Sequence, residues 1–245
     1  MRPATPGQKR SLKSASTAQR TARQRDNFFC SGKVPILFLP NPNDAVSDIA
    51  TLEKLFGTPA ASSIRKVVDY VHPHYQKFIE AAPFVLLATS GPGGLDLSPR
   101  GDAAGFVRVH DETTLLLPDR RGNNRIDSLR NILHDPRVAL LFLIPGIGET
   151  LRVVGRASIH VAPHLLEAFA VDGKLPRSVL VLKVEEVFFQ CSRAVLRSKL
   201  WDQSRHVSRD ELPSPGKILA DLSEGEIDGL RYDVELPERL KSTMY

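Results

Sequence analysis

The sequence has 245 residues, of which 42% are hydrophobic and 25% are charged, and these values are typical of a folded globular protein. They exclude collagen-like, coiled-coil and wholly disordered chains. The longest uninterrupted apolar run, residues 138–144, is much shorter than the roughly 20 residues of a membrane helix, so we expect no membrane partner. Cys30 and Cys191 have neither disulfide-scaffold nor zinc-finger spacing, and we expect a cytoplasmic protein.

The net charge of +5 originates near the N-terminus. Residues 1–40 contain eight basic side chains and one acidic side chain, whereas the remainder is slightly acidic. The body of the protein is therefore not expected to bind nucleic acid. Because the first 26 residues contain almost no large apolar side chains, we predict a disordered basic arm over residues 1–40. A transit peptide, a misassigned start and a plain flexible arm remain alternatives.

The first ordered elements are predicted to be two helices. Ser47 or Asp48 is a suitable N-cap for a helix that ends at Phe56. A second helix is expected over residues 63–80, bent or divided by Pro73. From residue 48 to residue 245 we predict a single domain with helical extensions at both ends.

A strand pattern begins at residue 84. Six segments are rich in Val, Leu, Ile, Phe or Thr and are separated by Gly, Pro or Asp: 84–88, 105–109, 114–117, 138–144, 150–160 and 179–189. Short helices are predicted at 125–133 and 163–170, and after the last strand at 192–201, 214–222 and 224–241. This order predicts a mainly β (α+β) fold with peripheral helices, and a closed barrel rather than a doubly wound sheet.

The loop 118–125, between a strand and a helix, contains the densest group of candidate binding residues. Asn123 and Asn124 tolerate left-handed backbone angles, and Asn124 is a suitable cap for the following helix. Together with Arg120, Arg121 and Arg125, the free N–H groups of the helix would form an anion site suited to a phosphate monoester. A polar turn with solvated arginines is the alternative.

Two further segments carry candidate arginines. Arg100 follows Pro99 and precedes Gly101, which would hold its side chain in a defined direction, although a surface ion pair with Asp102 is the alternative. Strand alternation places Thr150 and Arg152 on one face, with either a ligand or an ion pair to Glu149 as the explanation.

Other candidate motifs are weaker. The His72-Pro-His74 spacing has no acidic or cysteine cluster beside it in the sequence, so no metal site is expected. Cys191 is expected to be a buried, inert thiol rather than a reactive one.

Four stretches, in this order, resemble the pyridoxamine 5′-phosphate oxidase-like superfamily of flavoproteins, in particular an uncharacterised bacterial branch that binds FMN. They are SPRGDAAGFV (98–107), LLLPDRRGNNRIDSLRNIL (115–133), DPRVALLFLIPGIGETLRVVGRA (135–157) and SKLWDQSRHV (198–207). The resemblance covers about residues 48–245 and implies an FMN-binding split β-barrel that forms a homodimer with two flavin grooves at its interface. The residues that it implies for cofactor binding are Arg100, Arg120, Arg121, Asn123, Asn124, Arg125, Thr150 and Arg152.

The sequence also departs from this family. Authentic pyridoxamine-phosphate oxidases have an Arg-x-His pattern near the C-terminus, whereas Arg205 and His206 are adjacent here. Gln190 stands where related members of the branch commonly have His. These departures argue against vitamin B6 oxidation. From the resemblance we predict an FMN-dependent oxidoreductase with an unknown small substrate. The alternative is a non-catalytic flavin or haem carrier, and the catalytic residues are not predicted.

Overall fold

The computed structural model describes residues 41–245, which fall into two units that divide between Thr58 and Pro59. The predicted disordered arm lies outside the described residues. In the first unit, a 3-10 turn at Pro42–Asp44 precedes helix α1 (Ile49–Phe56). As predicted, Asp48 caps α1, because its carboxylate accepts a hydrogen bond from the backbone N–H of Thr51.

The second unit contains seven strands and seven α-helices. The strands are β1 (Phe84–Gly91), β2 (Gly94–Gly101), β3 (Arg108–Asp111), β4 (Thr114–Asp119), β5 (Arg137–Leu143), β6 (Thr150–His160) and β7 (Ser178–Gln190). The helices are α2 (Ala61–Arg65), α3 (Pro73–Ala81), α4 (Asp127–His134), α5 (Pro163–Ala168), α6 (Arg193–Ser198), α7 (Pro215–Leu222) and α8 (Gly229–Ser242).

All seven strands form one antiparallel sheet in the order β2-β1-β5-β6-β7-β4-β3. This mainly β architecture with peripheral helices agrees with the predicted fold class and is consistent with a split barrel. The expectation of a closed barrel was wrong, because in residues 41–245 no backbone ladder joins the two edge strands, β2 and β3.

The core lies on the inner face of the sheet, where alternate side chains of adjacent strands are buried together. Val85 and Leu87 of β1 are opposite Phe142 and Leu140 of β5, and all four are almost completely inaccessible. Helix α4 packs on β1 and β2, and its Ile132 belongs to the same core. Burial of these side chains is the main source of stability, since each contributes about 1.5–3 kcal/mol.

A β-bulge between Val154 and Gly155 interrupts the register of β6 and β7. A Cβ atom at Gly155 would collide with the carbonyl oxygen of Lys183 on the neighbouring strand. Glycine is therefore required here by the close approach of two backbones.

Pro73 divides the stretch 63–80, as predicted, because it begins a new helix, α3, at its first position, although α2 already ends at Arg65. Two predicted helix starts need correction. Helix α4 begins at Asp127 rather than at Arg125. At the C-terminal end, α8 begins at Gly229, five residues later than expected.

Candidate functional site

Two ion pairs connect the β2 side of the open sheet to the end of β4. Arg100 Nε lies 3.5 Å from Asp119 Oδ1, and Arg120 Nε donates a 2.8 Å hydrogen bond to Asp102 Oδ2. Each side contributes one arginine and one aspartate, so the charges are complementary. We call this pair of contacts the seam; it bridges the two sides with side chains instead of backbone hydrogen bonds.

Arg100 is held on the inner face of β2 by two serines. Its Nη1 atom donates to Ser98 Oγ at 2.6 Å, and its Nη2 atom lies 3.5 Å from the hydroxyl of Ser128 on α4. Ser128 in turn donates to Asp96 Oδ2 at 2.6 Å. The Arg100 side chain is 21% exposed, and its buried Nε atom has no hydrogen-bond partner in the described part of the chain. A cation is thus fixed beside the start of α4.

The start of α4 differs from the sequence prediction. Asn124 does not cap the helix; instead Ile126 occupies the N-cap position, and no side chain of the described residues caps α4. Both residues have positive φ angles, 62° for Asn124 and 54° for Ile126. A β-branched residue rarely adopts this conformation, so the strain at Ile126 marks a backbone that the surrounding structure imposes. The first N–H groups of α4 are left available for a ligand.

Arg125 and Asn123 lie immediately before α4. The Asn123 side chain accepts a hydrogen bond from the Arg125 backbone N–H at 3.1 Å. The Arg125 side chain is 75% exposed, and its Nε atom contacts Asp127 Oδ2 at 2.7 Å. Arg125, Asp127 and Arg130 line a surface cavity of about 420 Å³ between α4 and the β1–β2 turn. The predicted position of Arg125 within the first helical turn was wrong, but it does border the start of the helix.

The remaining arginines of the loop have different environments. The Arg120 side chain is 15% exposed, and two of its nitrogen atoms already donate hydrogen bonds. Nε donates to Asp102, and Nη1 donates to the Phe169 carbonyl at 2.7 Å. Arg121 is exposed. The loop therefore does not bring all three predicted arginines to one point.

Beside the seam lies Arg177, a residue that the sequence analysis did not select. Arg177 Nη1 donates to Asn124 Oδ1 at 2.7 Å, and its backbone N–H donates to the carbonyl of Asp119. Burial raises the pKa of Asp119, although the positive charges of Arg100 and Arg177 oppose that shift. Alternation along a strand through residues 96–100 could have identified Ser98 beside Arg100, whereas nothing in the local sequence indicates that Arg177 approaches the loop.

Thr150 and Arg152 lie on the outer face of the sheet, as the alternation predicted, while Leu151 and Val153 are buried beneath them. Thr150 donates to Gln190 Oε1 at 3.3 Å. Arg152 stands opposite Leu141 and lies 5.4 Å from the centre of the Phe188 ring. Because Arg100 is on the inner face, the structure of one chain does not bring these two groups of predicted residues together.

Part of the outer face of the sheet is apolar. Along β2, Leu95 and Leu97 are exposed, with Leu97 at 63%. Leu86 and Leu141, on β1 and β5, lie opposite each other on the same face and are only half-buried. An apolar surface of this kind on a sheet face commonly marks a protein interface.

The remaining candidates from the sequence analysis are the His72-Pro-His74 spacing and Cys191. The His72 ring accepts a hydrogen bond from the backbone N–H of His74 at 3.1 Å and thereby caps α3. Within residues 41–245, no three His, Cys, Asp or Glu side chains are grouped closely enough to hold a metal ion. Cys191 is exposed, so the expectation of a buried thiol was wrong. No helix in this part of the chain has the length and apolarity needed to cross a membrane.

One family model matches the middle of the chain. Residues 71–191, from the segment before α3 to the end of β7, match the family model for pyridoxamine 5′-phosphate oxidase. No curated protein sequence matches the chain.

Solved structures with similar folds include HupZ of Group A Streptococcus, at 21% identity, 49% coverage of this chain, 94% coverage of that chain and a TM-score of 0.40. General stress protein 26 of Bacillus anthracis is 17% identical, with 46% and 88% coverage and a TM-score of 0.35. A Clostridium acetobutylicum protein of the pyridoxinephosphate oxidase family, related to general stress protein 26, is 16% identical, with 48% and 86% coverage and a TM-score of 0.38. On its family match and its seven-stranded antiparallel sheet, the chain belongs to the pyridoxamine 5′-phosphate oxidase-like family.

Proposed function

We propose that this chain is an FMN-binding flavoprotein that acts as an oxidoreductase on a small substrate. The observation that carries the proposal is Arg100, a largely buried cation beside the uncapped start of α4, whose Nε atom lies 3.5 Å from Asp119 but forms no hydrogen bond in the described structure. A helix N-terminus with an adjacent guanidinium group suits a phosphate monoester. Family membership supports a flavin-binding fold.

In this proposal the FMN phosphate lies between Arg100 and the first turn of α4. Arg125 reaches the same end of the helix once it exchanges Asp127 for the phosphate, with Asn123, Asn124 and Arg121 beside it. We assign Arg120 a positioning role, because its contacts with Asp102 and the Phe169 carbonyl already occupy two of its nitrogen atoms. Three carboxylates, of Asp96, Asp119 and Asp127, also lie near these groups and oppose an anion. Binding of the phosphate therefore requires the arginines and the helix N–H groups to act together.

The proposed flavin site is completed by a homodimer. Arg100 and Arg152 lie on opposite faces of one sheet, so one cofactor in contact with both requires two copies of the chain. The apolar outer face, with Leu97 and Leu141, is the proposed contact surface, and it also carries Thr150. Flavin supplies hydride transfer through its N5 atom when bound, which leaves binding, orientation and exclusion of water to the protein. We place the protein in the cytoplasm, where a free exposed thiol such as Cys191 is compatible with the reducing conditions.

The proposal is tested by titrating the purified protein with FMN and with riboflavin, which lacks the phosphate. Arg100→Gln should remove a charge-assisted contact worth about 1.5–3 kcal/mol and weaken FMN binding tenfold to over a hundredfold. Arg125→Ala should have a smaller effect, because its side chain is exposed. Riboflavin affinity should change little in either variant.

Arg137→Ala is the matched control, because Arg137 is an exposed arginine that pairs with Asp135 away from the proposed site. Equal FMN affinity in Arg100→Gln and Arg137→Ala would refute the phosphate assignment. An absorbance spectrum with a Soret band instead of flavin bands would support a haem carrier. Flavin binding without steady oxidation of reduced nicotinamide would support a non-catalytic flavin carrier.

A further inference from the structure

A cavity of about 460 Å³ lies at one end of the inner face, apart from the seam and from α4. Its walls come from α3, from the chain just after α2, from the end of β7 and from the turn before β6. Val68, Tyr75, Phe78 and Phe189 make most of this lining apolar. The volume falls within the range of about 300–1,000 Å³ that small-molecule sites occupy.

Hydrogen bonds fix two walls of this cavity. Val68 forms an isolated β-bridge with Val187, with hydrogen bonds of 3.1 and 2.7 Å. The Tyr75 hydroxyl donates to the carbonyl of Lys66 at 2.7 Å, which ties α3 to the same segment. Two walls of the cavity are thus joined to the barrel, and a ligand would bind without ordering them first.

The charged groups at this cavity are predominantly basic. Lys66 is half-buried, and its Nζ atom lies 4.7 Å from the centre of the Phe189 ring. Arg65 and Glu149 also line the cavity. None of these three side chains forms an ion pair with any residue that the structure describes. A half-buried ammonium that lies near aromatic rings and forms no ion pair with a described residue favours an anionic partner.

His72 adds a neutral donor to the same lining. Its Nδ1 atom accepts a hydrogen bond from the His74 backbone, so the proton of the neutral ring is on Nε2. The lining therefore combines apolar walls with the ammonium of Lys66, the guanidinium of Arg65 and an imidazole N–H. Glu149 contributes a single carboxylate of opposite charge.

From this combination we propose that the cavity binds a small organic carboxylate with an aromatic body, with the carboxylate on Lys66 and the ring against Tyr75, Phe78 and Phe189. The site is separate from the proposed phosphate contacts at Arg100, and its occupancy does not require flavin. The aromatic ring of the ligand would gain apolar contact area from the walls. Its carboxylate would form the ion pair that Lys66 does not form with any described residue.

The experiment uses 2-naphthoate as the probe and isothermal titration calorimetry of the full chain, with and without added FMN. The parent should bind 2-naphthoate and should bind the neutral isostere 2-naphthalenemethanol at least fivefold more weakly. Lys66→Gln should weaken 2-naphthoate at least fivefold and leave the neutral probe within twofold. Lys77→Gln is the control, because Lys77 is exposed on α3 and does not line the cavity.

The two probes make the result independent of a folding defect, since misfolding would reduce the binding of both. Absence of binding to the parent, equal affinity for both probes, or equal effects of Lys66→Gln and Lys77→Gln would overturn the proposal. Binding of 2-naphthoate that persists in Arg100→Gln would support a site distinct from the proposed flavin site. Loss of 2-naphthoate binding in Arg100→Gln would contradict that separation.

Discussion

Substitution of Asp102 by Asn should destabilise the protein by about 2–3 kcal/mol. The Asp102 side chain is 4% exposed and accepts hydrogen bonds from Arg120, from the Tyr245 hydroxyl and from the Ala103 backbone N–H, each at 2.8 Å. Asn preserves the size of the side chain but removes the charge that balances Arg120. Breaking a buried pair costs about 3–5 kcal/mol, and we expect less because Arg120 retains the Phe169 carbonyl and some exposure.

Urea unfolding measures this loss directly. At typical slopes of about 1–3 kcal/mol per molar urea, the midpoint should fall by roughly 1 M. Glu235→Gln is the control, since that exposed glutamate also pairs with an arginine, Arg231, and its replacement should not shift the midpoint measurably. A second substitution, Arg120→Met, should recover part of the loss in the Asp102→Asn background. Equal midpoints for parent and Asp102→Asn, or strictly additive effects of the two substitutions, would refute the ion-pair explanation.

Three further predictions concern pH, packing and association. Burial opposes ionisation of Asp102, but hydrogen bonds from Tyr245, Ala103 and Arg120 lower its pKa below the ordinary 3.8. In urea melts, the stability difference between parent and Asp102→Asn should therefore be complete above about pH 4 and should shrink at more acidic pH. A stability difference that grows on acidification would contradict this prediction. Gly155→Ala should lower the free energy of unfolding by about 3 kcal/mol in the same assay, because the new Cβ atom collides with Lys183. Gly122→Ala is the control, since a Cβ atom at Gly122 has open space. Similar losses of stability in both variants would count against the bulge explanation. Light scattering should find a dimer for the parent and a monomer for Leu97→Asp, and a monomeric parent with saturating FMN would exclude the proposed interface.

The hydrophobic pattern predicted most of the sheet correctly because five of its strands are buried on at least one face. The predicted bounds of β6, residues 150–160, agree with the structure, and β7 differs by one residue at each end. Strand β2 was missed, because its Gly, Asp, Ser and Pro residues are poor strand formers. Pro99 is tolerated there because β2 is an edge strand, which is a property of the assembled sheet rather than of the local sequence.

The candidate site was only partly predictable for a related reason. Local spacing identified Arg100 and the loop before α4, but the destination of each arginine depends on partners distant in the chain. Arg120 is 49 residues from the carbonyl that it contacts, and Arg177 is 53 residues from Asn124. Local rules also disfavour a left-handed conformation at Ile126, because its side chain is β-branched. They therefore predict that the helix begins at Arg125, whereas it begins at Asp127.

The seam has a mechanical consequence for the barrel. Parting its two sides requires the loss of two ion pairs and the nearby contacts of Arg100 and Asp102, whereas separating any two neighbouring strands breaks a continuous backbone ladder. Local opening at such a place costs much less free energy than global unfolding. We therefore expect the gap between β2 and the end of β4 to open locally while the central strands β5, β6 and β7 stay paired. Such opening would give a ligand transient access to Arg100 without disturbing the core.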